Sequence, residues 1–159
     1  MIEKLTKTLK EKSLIIAVAE SCTGGQLSAA LTAQPGSSAI FDRGFITYSN
    51  DAKIDMLNVT PETLQNHGAV SAETASEMAN GALKNSQADI TASITGIAGP
   101  SGGTEGKPVG TVYIGIATKT AAPTAHHHMF KGSRADIQAQ SVEAALKYLI
   151  KAAQDESSP

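Results

Sequence analysis

The chain has one cysteine among its 159 residues, which excludes an internal disulfide and any metal site built from several thiolates. It also lacks an excess of one charge: thirteen basic side chains stand against fifteen acidic ones, a net charge of −2. That balance gives no electrostatic basis for nucleic acid or an anionic membrane as the main partner. No charged-then-apolar leader opens the chain and no apolar run is long enough to span a bilayer, so a cytoplasmic protein is expected. Internal repeats and linkers are missing too. What is present, 41 % hydrophobic residues against 18 % charged, is enough for a well-filled core and excludes global disorder. At this length one domain, residues 1–159, is the simplest organisation.

The most informative stretch runs from Leu14 to Gly25. Six apolar residues, Leu14 to Ala19, form the continuous run expected of a strand buried on both faces. Polar residues and two glycines follow, and then Leu27, Ala29, Ala30 and Leu31 begin a helical pattern. A strand that turns on glycine into a helix presents free N–H groups and the positive end of the helix dipole. Glu20, Ser21, Cys22 and Thr23 sit at that mouth, where ligands bind in open α/β sheets. The bland alternative is an ordinary connection whose Ser or Thr caps the helix.

Elsewhere the pattern alternates between the two periods. Ile2, Leu5 and Leu9 predict an amphipathic helix, and Phe41 to Tyr48, Ile90 to Ile94 and Thr111 to Thr118 predict strands. Ala125 to Phe130 follows a turn too short for a parallel crossover, so an antiparallel neighbour is expected. Capping signals open further helices at Ser49, Thr60-Pro61, Ser71 and Ser133, the last running through Val142, Leu146, Leu149 and Ala153. The expected fold is a three-layer α/β/α sandwich with a mixed, mostly parallel sheet.

Three polar clusters fall at strand ends: Glu20–Gly25, Tyr48–Lys53 and Thr95–Gly110. If their strands are neighbours, all three face one crevice. Ser21, Cys22 and Thr23 are possible nucleophiles, and a serine needs both a base and an oxyanion site. The N–H groups around Thr23 to Gly25 are the expected oxyanion donors. Lys53, its pKa lowered by desolvation, can serve as that base, and Tyr48 can orient it or pass a proton to the leaving group. A solvated helix lysine and a strand-end tyrosine are the ordinary alternative. The Thr95–Gly103 loop offers backbone donors to carbonyl or phosphate oxygens but carries neither a Walker nor a dinucleotide fingerprint. Arg134, at a helix start, is a candidate phosphate clamp. His126-His127-His128 cannot converge on one ion, because strand neighbours point to opposite faces.

Four segments in register then resemble one family: Ala19 to Gly25, Arg43 to Lys53, His67 to Ser71, and Ile94 to Gly103 continued by Lys107 to Val112. Together they resemble the C-terminal domain of the CinA competence/damage-inducible proteins, whose stand-alone form is the nicotinamide-nucleotide amidohydrolase. The resemblance covers about residues 3 to 152. It implies hydrolysis of the carboxamide of nicotinamide mononucleotide to the acid and ammonia, an α/β/α fold, a homodimer or higher homo-oligomer, and no metal or other cofactor. It implies Ser21 as nucleophile, with Lys53 and Tyr48 as activating partners. The expected substrate-binding set is Glu20, Cys22, Thr23, Gly24 and Gly25 at the first junction, Thr95 and Gly96 in the loop, and Arg134. The chain departs from the family pattern at Ser133, often aspartate, and at Gln138, often a further arginine. Rival readings are a nucleotide-binding regulatory module without turnover and an amidohydrolase acting on another amide.

Overall fold

A computed structural model describes residues 1–159. The first helix, α1 (Ile2–Lys12), buries Leu5 and Leu9 as its spacing predicts. Ser13 then takes a left-handed φ of 55° and the Leu14 N–H bonds back to Leu9 O, so the apolar run starts by closing a helix. The strand β1 therefore covers Ile16–Glu20, two residues later than the run itself, and all five of its residues are buried.

The sheet joins β1 to β2 (Phe41–Ile46), β3 (Ile90–Gly96), β4 (Thr111–Thr118) and β5 (Thr124–Met129) in the order β2-β1-β3-β4-β5. The β1 strand pairs parallel with β2 and β3, whereas β3–β4 and β4–β5 are antiparallel. Only β4 runs against the other four, which makes the sheet mixed and mostly parallel in direction. Strand β2 stops before Tyr48 because the backbone leaves the ladder to enter a capped helix. Thr47 N–H still bonds Glu20 O, and Ser49 Oγ then accepts from Ala52 N–H to open α3 (Asn50–Leu57).

The remaining helices are α2 (Gln26–Thr32), α4 (Pro61–His67), α5 (Ala72–Lys84) and α6 (Arg134–Asp155). Helices α1, α2 and α6 cover one face, over a core that includes Ile16, Val18, Leu27, Ile90, Ile94 and Ile137. Helix α5, flanked by α3 and α4, covers the other. Its inner stripe of Ala75 and Ala79 comes so close to the sheet that Ser93 and Thr91 hydroxyls bond its carbonyls. Residue alternation assigns the faces: Val18 points to the larger core, Ala19 to the α5 side. The result is the three-layer sandwich. Its β1, β2 and β3 strands end side by side, which brings the three polar clusters together.

Candidate active site

The turn after β1 is bent by Gly24 at φ 55° and Gly25 at φ 108°, where side chains other than glycine are strained. Ser21 continues the ladder, its N–H bonded to Ile94 O at 2.9 Å. Glu20 corrects the expectation of substrate contact. It is fully buried, and its carboxylate accepts from Thr23 Oγ1 at 2.7 Å, Leu27 N at 2.8 Å, Ser28 N at 2.9 Å and Ser28 Oγ at 2.8 Å. A buried carboxylate needs such partners, and the start of α2 provides them. The helix mouth is therefore occupied from within. Thr23, Gly24 and Gly25 likewise stay out of the cavity wall, and the Gly24 N–H is bonded to Ser21 O.

Lys53 sits on the first turn of α3 with its side chain directed inward, 1 % exposed and paired with no carboxylate. Its Nζ lies 3.0 Å from Ser21 Oγ, 2.9 Å from Thr47 O and 3.3 Å from Tyr48 O. Burial pushes its pKa below the ordinary 10.5. A neutral amine has two N–H donors and one lone pair. The Thr47 and Tyr48 carbonyls can take the donors, leaving the lone pair for the Ser21 hydroxyl proton.

Tyr48 holds the lysine through its carbonyl and not through its ring. The phenol is 62 % exposed and its oxygen accepts from Arg134 Nη2 at 3.2 Å. Arg134 also donates from Nη1 to Gly99 O at 2.8 Å, tying α6 to the glycine-rich loop. Ser21, Cys22, Tyr48, Lys53, Thr95, Gly96 and Arg134 all border one cavity of about 330 Å³. The Thr95 hydroxyl is bonded to Ala69 O at 2.8 Å, so this side chain fixes the wall formed by Ala69 and Val70. Burial pushes the Cys22 thiol up to about 11, which keeps it protonated at neutral pH. Of the two side chains, only Ser21 has a base in contact.

Sequence reasoning missed the carbonyl acceptors of Lys53, because backbone groups leave no residue-type signal. It also missed Ala69 and Val70, whose one trace is the His67–Ser71 segment that carries part of the resemblance. The histidine tract alternates as strand geometry requires. His126 and His128 meet Tyr148 on one face, and His127 lies beside Tyr113 on the other.

An α/β/α sandwich in which a serine hydroxyl and a buried lysine amine meet beyond adjacent strand ends defines the structural class. The CinA C-terminal domain model matches residues 1–153, and the chain belongs to that family. It is 47 % identical to the nicotinamide-nucleotide amidohydrolase PncC of Escherichia coli K12, over 92 % of this chain and 89 % of that protein. It is 54 % identical to a putative competence-damage inducible protein of Caldicellulosiruptor saccharolyticus over 94 % of this chain. There it spans about a third of the relative's length, 36 %. Among solved structures, the competence/damage inducible protein CihA of Agrobacterium tumefaciens superimposes with a TM-score of 0.90 at 44 % identity, over 97 % of this chain and 96 % of that one. A CinA superfamily protein of Klebsiella pneumoniae gives 0.92 at 36 % identity, over 98 % and 96 %. No helix is long and apolar enough to cross a membrane.

Proposed function

We propose that the chain hydrolyses the carboxamide of nicotinamide mononucleotide to nicotinic acid mononucleotide and ammonia, through an acyl-enzyme on Ser21. The observation that carries this reading is the 3.0 Å contact between Ser21 Oγ and the Nζ of a buried lysine without a counter-ion. Similarity to the PncC amidohydrolase over nearly all of its length supports the substrate class.

Neutral Lys53 accepts the Ser21 proton while Oγ attacks the carboxamide carbon. The tetrahedral oxyanion takes a hydrogen bond from the Cys22 N–H, which has no acceptor within the chain and belongs to a residue bordering the cavity. Charged Lys53 returns its proton to the amide nitrogen, the C–N bond breaks, and ammonia leaves. Water then attacks the Ser21 ester, giving one proton to Lys53 as the bond to Oγ breaks; that proton restores the Ser21 hydroxyl. Tyr48, with its phenol held by Arg134, stays outside the proton path and fixes the lysine through its carbonyl. Arg134 offers the substrate phosphate a charge-assisted contact, and Cys22 and the Thr95-Gly96 backbone border the reacting amide. The whole chain acts as one domain, in the cytoplasm, as a homodimer or higher homo-oligomer.

Ammonia release from a panel of pyridine nucleotides and simple amides tests the reading. Turnover of nicotinamide mononucleotide well above the other amides is expected. Binding by calorimetry with no ammonia from any amide would identify a regulatory module instead.

A further inference from the structure

The β1–β3 ladder stops one rung early, beside the serine. In a parallel pair the bonds run in turn from each strand to the other. Ser21 N–H bonds Ile94 O at 2.9 Å, and the next rung would run from Gly96 N–H to Ser21 O. That rung is missing, because Ser21 O accepts the Gly24 N–H at 3.1 Å as the chain turns toward α2. The Gly96 N–H does not face β4 either. Its neighbour Ile97 donates to Thr111 O at 2.9 Å, and successive N–H groups of a strand point to opposite sides. Gly96 and Val112 are thus a non-hydrogen-bonded pair. The Gly96 N–H is left on the β1 side with no acceptor in the chain, on a residue that borders the cavity. The strand end behind it lies tight on β4: a Cβ at this glycine would come within 2.7 Å of Val112 Cγ2 and 2.8 Å of Thr111 O.

We propose that the Gly96 N–H is the second oxyanion donor of the acyl-transfer step, acting together with the Cys22 N–H. The inference rests on the acyl-enzyme reading of Ser21. Cys22 follows the nucleophile along the chain, and Gly96 stands across from it in the ladder. The two donors therefore reach the oxygen of the attacked carbon from adjacent strand ends. Both belong to backbone that the sheet holds before substrate arrives, which is what a preorganised oxyanion site requires. Residue 96 acts through its main chain, so the test reads that amide directly.

The probe is the aldehyde counterpart of nicotinamide mononucleotide, with an isotope-labelled formyl group in place of the carboxamide. Ser21 Oγ bonds to the formyl carbon, its proton passes to Lys53, and the carbonyl π pair becomes the oxyanion of a hemiacetal. Amide proton–nitrogen correlation spectra of the full chain are recorded with and without the probe, in the parent and in Ser21→Ala. A charged acceptor shortens the hydrogen bonds it takes, so the Gly96 and Cys22 amide protons should show the largest downfield shifts in the parent. Ser21→Ala forms no hemiacetal, and both shifts should be lost there. A shifted Cys22 proton beside an unmoved Gly96 proton overturns the proposal. So does a Gly96 shift of the same size in Ser21→Ala, which would mean contact with the bound ring and not with an oxyanion. A formyl carbon with the same resonance in the parent and in Ser21→Ala would instead remove the reading of Ser21 as nucleophile, so the two failures are distinguishable.

Discussion

Two of this molecule's recesses differ in chemistry more than in size. The one between β5 and α6 encloses about 490 Å³ and is bordered by His128, Phe130, Glu143, Lys147 and Tyr148. The one beyond β1 and β3 encloses about 330 Å³. Both hold titratable groups whose pKa burial lowers, His128 in the first and Lys53 in the second. The difference lies in their partners. His128 Nε2 is bonded to the Tyr148 hydroxyl at 2.9 Å, its ring stacks on Phe130, and Glu143 and Lys147 pair with each other. Every polar group there has a local partner. Lys53 is buried without a carboxylate and is aimed at a hydroxyl that can become a nucleophile. Volume measures room for a ligand, whereas a desolvated base beside a nucleophile supplies a reason to react.

The largest effect that can break this contrast is on turnover. Ser21→Ala and Lys53→Ala should each lower ammonia release by about 10⁴-fold or more, while His128→Ala stays within about twofold of the parent. Comparable losses in all three, measured on folded protein, would erase the distinction between the recesses.

A second, smaller effect is on pH dependence. Only neutral Lys53 accepts a proton, so kcat/KM should rise about tenfold per pH unit while the amine is mostly charged, then level off at a pH below 10.5. The same shift acts on stability. Between the lowered folded value and 10.5 the unfolded chain binds more protons than the folded one, so unfolding free energy rises with pH across that window. Lys53→Met should flatten this slope in denaturant titrations, and His128→Ala should leave it in place.

The smallest effect belongs to the larger recess. Tyr148→Phe removes the hydroxyl bonded to His128 and should lower unfolding free energy by about 0.5–1.5 kcal/mol with no change in kcat. Lost turnover in that variant would give the β5–α6 recess a share in the chemistry.

Much of the fold is legible in the residues. The β1 run, the β-branched Val112, Ile114 and Ile116 of β4, the capping box of Ser133 and Asp136 and the stripe of α6 all mark elements where the structure has them. Three polar clusters at strand ends are legible too, because polar residues and glycine interrupt apolar runs. Glu20 shows where such reading stops. Its position beside Ser21 suggested substrate, yet its side chain turns back to bond α2. Nothing in the local pattern distinguishes those directions. Tyr48 repeats the lesson, since its carbonyl and its ring serve different neighbours.

By itself, the order of residues determined the layers of this protein, the polar strand ends and the family, since periodicity and turn chemistry act over a few neighbours. Only the tertiary structure decided that Lys53 Nζ meets Ser21 Oγ, that Glu20 faces inward, and that Gln138 reaches Cys22 from another layer. Those contacts join positions 32 and 116 residues apart in two of the three cases. They depend on how strands and helices pack, and on the cost of burying an amine or a carboxylate without partners, which no short stretch of chain encodes alone.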